Sequence, residues 1–341
     1  MSKLPKRTYQ ALVKDLFAPR QSIFLADFLL SYAGFIGALA LFLLADGWLA
    51  VPGFAGAVFL SYRCASFIHE IVHLPRKGFG LFKGLWNALF GVPFMMPSFF
   101  YESHLDHHIP RKYGTKNDPE YLPLSGMSVP GFIGFVLEHA IGTPMILFAR
   151  LLVGLPVRLF WKDGASVLDR RFSSLVINRA YEKPTRARTR ALIAVEAQVL
   201  IGTVVVATLV VQGVIPLVWI GKIFAVFATG LVANVIRTLC AHRYQNHSLE
   251  RLDEGEQFAD SLNYEGNPVI GGLMAPVGLR FHALHHLFPT IPYHNLAEAH
   301  RRLMAGLPLD DPYRRASFRS FTRQLGRLMG ERGNGRPVAA E

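Results

Sequence analysis

The chain has 341 residues, 51% of them hydrophobic, and a mean hydropathy of +0.27, too apolar for an ordinary water-soluble domain of this size. Its 36 Lys and Arg against 24 Asp and Glu leave a net charge of +12, which suits a nucleic acid or a membrane surface, so the distribution of apolar residues must decide. Two cysteines, Cys64 and Cys240, exclude a disulfide framework and a cysteine-rich zinc ribbon.

The N-terminal stretch is basic, with Lys3, Lys6, Arg7, Lys14 and Arg20. No cleavable signal peptide is expected, because the first apolar segment is too long for one. That segment, IFLADFLLSYAGFIGALALFLLA (23–45), is followed at once by WLAVPGFAGAVFLSYRCASFI (48–68). Each can cross a hydrocarbon core as a helix. HEIVHLP (69–75) comes next, then LFKGLWNALFGVPFMMPSFF (81–100), whose helix Gly91, Pro93 and Pro97 should break. After HLDHH (104–108), the apolar stretch 131–160 carries Glu138, His139, Pro144, Arg150 and Pro156. Both 81–100 and 131–160 read as interfacial or re-entrant segments. A basic run, RRFSSLVINRAYEKPTRARTR (170–190), precedes a second apolar pair at 191–212 and 214–240.

The connectors inside both pairs are short and lack Lys and Arg, so the positive-inside rule puts both termini and the middle loop in the cytoplasm. The expected fold class is an all-α integral membrane protein. Four transmembrane helices form two hairpins, and a cytosolic helical cap holds a histidine-rich di-metal site. A single domain over 1–330 is expected, with a disordered polar tail at 331–341.

Nine of the thirteen histidines fall in a pattern. His69 and His73 form H-x3-H at the cytoplasmic end of the second membrane helix. HLDHH supplies His104, His107 and His108, and HALHH supplies His282, His285 and His286; i, i+3 and i+4 spacing puts three imidazoles on one helical face. His242 ends the fourth membrane helix. HEIVH on its own is the zinc-protease signature, but such a site uses about three protein ligands plus water. Nine converging imidazoles suit two metals with open positions, and such a shell suits iron as well as zinc. Glu70 then becomes a candidate to accept an N–H bond from a ligand histidine. A shared site also requires an even number of membrane crossings between the boxes, a second reason to read 81–100 as re-entrant.

HEIVH, HLDHH and HALHH resemble the three histidine boxes of the membrane fatty-acid desaturase superfamily, which includes hydroxylases and related oxidases. FHALHHLFPTIPYHNL is similar to its third box, and HHIPRKYGTKNDPEY to the sequence after the second box in bacterial members. The resemblance covers roughly 25–305 and implies four membrane helices under a cap holding two iron ions, with His242 as the fourth-helix ligand. His247, five residues on, would point about 140° away on a helix. Glu70, Asp106, Asn263 and His247 are candidates to contact the ligand histidines, and Asn234 or Asn263 to hold a metal-bound water. Asp118 and Glu120 are left between pairing with cationic residues of the cap and orienting histidines. His139, His294 and His300 read as surface or supporting residues.

Such a site activates O2 against an unactivated C–H bond, with electrons from an external donor of ferredoxin or cytochrome type, since no dinucleotide motif is present. Basic residues of the cap (Arg111, Lys112, Arg186, Arg188, Arg280, Arg301 and Arg302) could meet an acidic donor or anionic lipid. The expected function is O2-dependent oxidation of a fatty-acyl chain, most simply desaturation. Decarboxylation to a terminal alkene and hydroxylation are alternatives on the same fold, with Arg243 or Arg280 able to hold a carboxylate. A membrane zinc hydrolase using HEIVH is the alternative from another class. No catalytic residue beyond the metal ligands is expected. The inner membrane of a bacterium is the expected location, and no nucleic-acid partner is expected.

Overall fold

A computed structural model describes residues 5–75, 77–183 and 189–330. Lys3, Arg186, Arg188 and the tail 331–341 of the sequence reading lie outside the described residues. Apart from one parallel pair of two-residue strands, β1 (Asn263–Tyr264) and β2 (Ser317–Phe318), the described regular structure is helical.

The short α1 (Lys6–Val13) leads into a long hairpin, α2 (Gln21–Leu44) and α3 (Ala50–His73). The two helices cross tightly at Gly53, where a Cβ would stand 2.7 Å from the Phe42 amide nitrogen. Next come α4 (Gly80–Trp86) and the one-turn α5 (His104–His107). Then follow α6 (Val129–Leu137), α7 (Thr143–Phe160) and α8 (Lys162–Arg171). A second long hairpin joins α9 (Thr189–Val211) to α10 (Leu217–Ala241). Its turn is a helix C-cap with Gly213 at φ +72°, closed by N–H bonds from Gly213 to Val210 and from Val214 to Leu209. The remaining helices are α11 (Glu254–Asp260), α12 (Pro268–Met274), α13 (His282–Leu287), α14 (Tyr293–Gly306), α15 (Pro312–Arg315) and α16 (Phe321–Gly330).

Among the described residues, four of the five helical stretches long and apolar enough to cross a membrane are the expected ones, with ends within a few residues of the sequence reading except that α3 runs on to His73. The fifth is Val129–Phe160. It was read in the sequence as an interfacial or re-entrant segment, and the chain is helical throughout it, with a π turn at Glu138–Gly142. That turn lies immediately before Pro144, whose missing N–H interrupts the regular i+4 ladder at this point. The stretch 81–100 does break as expected: a π turn at Asn87–Gly91 ends α4, and a 3-10 turn at Ser98–Phe100 follows. With its large, lipid-length apolar helices exposing Leu30, Val51, Val204 and Leu217, the chain is an integral membrane protein.

Two contacts set where the histidine segments lie. α10 packs on α3, bringing their ends together, and Trp86 donates its indole N–H to the Cys64 carbonyl, fixing α4 under α3. α7 and α8 are held to α9 by a buried charge cluster. Glu196 accepts from Arg150 at 2.5 Å and from Arg158 at 2.7 Å, while Asp169 accepts from the same two guanidiniums at 3.0 and 2.5 Å. Gly154 makes room for it, since a Cβ there would meet the Glu196 carboxyl carbon at 2.4 Å.

Candidate metal centre

The last turn of α3 presents His69 and His73, four residues apart and therefore on one face. The loop after α4 is fixed by Asn87, whose amide donates to the Ser98 hydroxyl and whose carbonyl accepts the Ser98 N–H, both at 2.9 Å. That loop delivers α5 with His104, His107 and, at its C-cap, His108. His242 caps α10, where the backbone turns extended. α13 carries His282, His285 and His286, and its first turn is pinned by Asn263, which accepts the Leu284 N–H at 3.1 Å.

These nine side chains converge. One group comprises His69, His73, His104, His108 and His285; the other comprises His107, His242, His282 and His286; within each, one ligand nitrogen per residue lies within 4.8 Å of the others. The contacts run through Nε2: 3.0 Å for His104–His108, 3.1 Å for His108–His285, 2.8 Å for His242–His282 and 3.0 Å for His282–His286. The pairing cuts across the sequence boxes, since HLDHH and HALHH each divide between the two groups.

The opposite ring nitrogens explain the arrangement. His107 Nδ1 lies 2.9 Å from both Asp118 oxygens, His104 Nδ1 lies 2.7 Å from Glu120, and His242 Nδ1 lies 2.9 Å from the Tyr113 hydroxyl and 3.3 Å from Asp260. An Nδ1–H donated to a carboxylate leaves Nε2 as a bare lone pair. Several lone pairs at about 3 Å repel unless a cation lies among them. His69 Nε2 and His73 Nε2 are moreover buried with no protein hydrogen-bond partner. Burial, and secondarily the neighbouring imidazoles, holds His104, His108, His282, His285 and His286 well below the ordinary histidine pKa, so they are neutral at pH 7, as metal ligands must be. Burial also lowers His107, but the Asp118 carboxylate outweighs it and leaves that ring raised. Burial pushes Glu120 up to about 7. The donor set fits two transition-metal ions.

Asp118 is the most constrained of these carboxylates. It also accepts the Gly114 and Glu120 N–H groups at 2.8 Å, and Gly114 reaches it through φ +70°. Asp118→Asn would replace an acceptor by an amide donor facing one of these N–H groups or His107. We expect a loss of about 10–100-fold in metal affinity or turnover, read by metal titration of the purified variant; wild-type affinity would remove Asp118 from this role.

Other residues singled out in the sequence lie elsewhere. Glu70 does not accept from a ligand ring: its Oε2 takes the Tyr293 N–H at 2.9 Å, and His69 Nδ1 is 3.7 Å from Oε1, beyond hydrogen-bond reach. Asp106 faces Lys112 and the Tyr181 hydroxyl instead of a histidine. Asn263 supports α13, and Asn234 accepts from Arg237. His247 meets the Ser125 hydroxyl at 2.7 Å, outside both groups. His139 stacks on Phe135, His294 packs on Phe24, and His300 meets the Tyr313 hydroxyl. Arg243 is held by the Ala259 and Arg315 carbonyls, and Arg280 lies over the Phe281 ring. Between the two readings left open for Asp118 and Glu120, the contacts favour orienting histidines. Asp260 and Tyr113 were missed: an isolated Asp in FADSLN and a Tyr after a box carry no spacing signal.

Residues 46–318 match the family model described as "Fatty acid desaturase". The chain is also 37% identical over 329 residues to "Ceramide hydroxylase" of Caulobacter vibrioides (strain NA1000 / CB15N), covering 94% of this chain and 92% of that protein.

Proposed function

The chain belongs to the fatty acid desaturase family, and on that premise we propose that it hydroxylates the hydrocarbon chain of a ceramide-like membrane lipid at a di-iron centre. His69, His73, His104, His108 and His285 hold one ion, and His107, His242, His282 and His286 hold the other. The observation that carries this reading is the convergence of nine imidazoles in two groups, with three of the rings oriented by buried acidic or phenolic partners. The relative named as a ceramide hydroxylase favours hydroxylation over the desaturation that was the simplest expectation from the sequence. The same family membership argues for an oxidase and against a zinc hydrolase, and Glu70, already engaged by the Tyr293 N–H, is poorly placed as a water-activating base.

When bound, the iron pair supplies reductive activation of O2 and hydrogen removal from an unactivated C–H bond. The balance is one C–H and one O2 with two electrons and two protons, giving a C–OH group and water. The chain's own part is to fix the nine rings and to exclude water with the buried aromatic residues Tyr113 and Tyr121. The electrons come from a separate donor of ferredoxin or cytochrome type. Of the basic residues available to meet it, Lys112 already pairs with Asp106, and Arg302 with Asp15 and Glu298, which leaves Arg111 the more exposed.

His107 and His242 approach to 3.3 Å, so both lie on one side of the membrane. The α9–α10 hairpin crosses twice between them. A full crossing by Val129–Phe160 would make three and separate them, so this stretch enters the membrane without traversing it. This supports four spanning helices within one domain over 1–330, and the basic segments before each hairpin favour the cytoplasmic side of a bacterial inner membrane for the metal centre.

The test is incubation of the purified, reduced protein with a ceramide under 18O2, with lipid mass spectrometry. One 18O atom per product is expected. Loss of two hydrogens without oxygen, a terminal alkene, or label taken only from water would each overturn hydroxylation.

A further inference from the structure

The structure assigns Arg237, with Tyr62 and Asn234, to a subsite that receives the acyl carbonyl oxygen of the lipid beside the metal centre. This inference rests on the lipid-oxidase reading above. Arg237 stands five residues before His242, so it lies about 7 Å to the membrane side of the ligand set along the axis of α10. Its side chain is half-buried, and its Nε–H is fully buried with no hydrogen-bond partner. Nη2 donates to the Asn234 carbonyl oxygen at 2.8 Å. No described carboxylate is within ion-pair distance of it, whereas the other deeply placed arginines, Arg63, Arg150 and Arg158, are all matched by carboxylates. A guanidinium at this depth with an unused N–H is costly unless another acceptor arrives.

The surroundings point to a lipid as the source of that acceptor. On α10, which packs on α3, Arg237 stands five residues before His242 while Tyr62 stands seven before His69, so Arg237 lies just to the membrane side of both imidazole groups. It also lies against the Tyr62 hydroxyl, which donates to the Met274 carbonyl at 2.8 Å and so ties the C-terminal end of α12 to α3. α12 in turn exposes Val269, Ile270 and Leu273, continuing the lipid-facing apolar surface of the membrane helices next to this polar spot. A planar guanidinium with a free N–H, flanked by a phenol and an amide, matches an acyl oxygen. An amide carbonyl of a ceramide and the carboxylate of a free fatty acid share that chemistry. Anchoring the oxygen there would hold the chain in register and decide which carbon faces the metals.

The experiment uses the metal-loaded, unreduced protein in nanodiscs, so that no turnover occurs. Binding of a radiolabelled ceramide and of a free fatty acid of the same chain length is compared for wild type, Arg237→Gln and Arg237→Lys, with metal content measured in parallel. Arg237→Gln should bind the lipid about 10–100-fold more weakly, from a lost charge-assisted hydrogen bond, with unchanged metal content. Arg237→Lys should lose less, and under turnover both variants should raise KM more than they lower kcat and spread the position of the product hydroxyl. A larger loss for the ceramide identifies the amide carbonyl as the acceptor, and a larger loss for the fatty acid identifies a carboxylate; either supports the subsite. Wild-type affinity for both lipids with unchanged product positions in Arg237→Lys or Arg237→Gln would overturn it and leave the hydroxylase reading standing. If wild type bound neither lipid, both would fall.

Discussion

Replacing His285 by alanine is expected to abolish turnover while the protein still inserts and folds. His285 packs among the five-imidazole group, with ring centroids 4.3 Å from His69 and 4.5 Å from His73. Its removal takes one nitrogen from a shell that has no spare carboxylate to substitute. An outer-shell change in a metal site costs about 10–100-fold; loss of a direct ligand should exceed that and drop the metal content from about two ions per chain toward one. His107→Ala should do the same to the four-imidazole group, with the added cost that the buried Asp118 loses its ring partner. Elemental analysis, turnover and circular dichroism are measured together. Activity and metal content near wild type in both variants would sink the ligand assignment. Loss of helicity with loss of metal would show that the ions also hold the fold.

Glu196→Ala should be the most destabilising single change away from the metals. Glu196 is fully buried in α9 and answers two guanidiniums, Arg150 from the middle of α7 and Arg158 from its last turn. Alanine would leave Asp169 as their only carboxylate and strand positive charge against an apolar helix. Breaking a buried pair in this way costs about 3–5 kcal/mol, most of it the penalty on the uncompensated charge. A clear fall in thermal midpoint is expected, measured by scanning fluorimetry in detergent. Replacing Glu196, Asp169, Arg150 and Arg158 together by leucine should restore much of the loss, because all four members of the cluster are then gone and no orphan charge remains. A midpoint unchanged by Glu196→Ala would mean that water or lipid headgroups reach the cluster.

This cluster also bears on the topology. Arg150, Arg158 and Glu196 find partners only because the second half of Val129–Phe160 packs along α9, and charged residues so placed suit a helix that dips into the membrane better than one that traverses it. In the sequence Arg150 read only as a reason to doubt a span; its partners lie 19 and 46 residues away.

The sequence by itself determined the long apolar helices, their pairing into hairpins and the nine histidines. Each of these is a local property: twenty apolar residues span a bilayer whatever surrounds them, and H-x3-H or H-x-x-H-H puts rings on one helical face by the 3.6-residue period alone. It could also see that 81–100 would break, because Pro93 and Pro97 act within their own turn. Tertiary structure alone decided how the rings divide. Each H-x-x-H-H box serves both groups, which follows from where α5 and α13 meet α3 and α10 and not from any spacing. It decided likewise that Asp118, Glu120 and Asp260 orient rings while Glu70 and Asp106 do not, since a carboxylate and the histidine it holds are joined by loop geometry, such as the left-handed Gly114. The π turn at Glu138–Gly142 within Val129–Phe160 had no signal in the sequence, because it depends on packing against α10 and not on propensity. Arg237 was invisible for the same reason: an unmatched guanidinium is defined by what fails to reach it, and only the folded chain shows that.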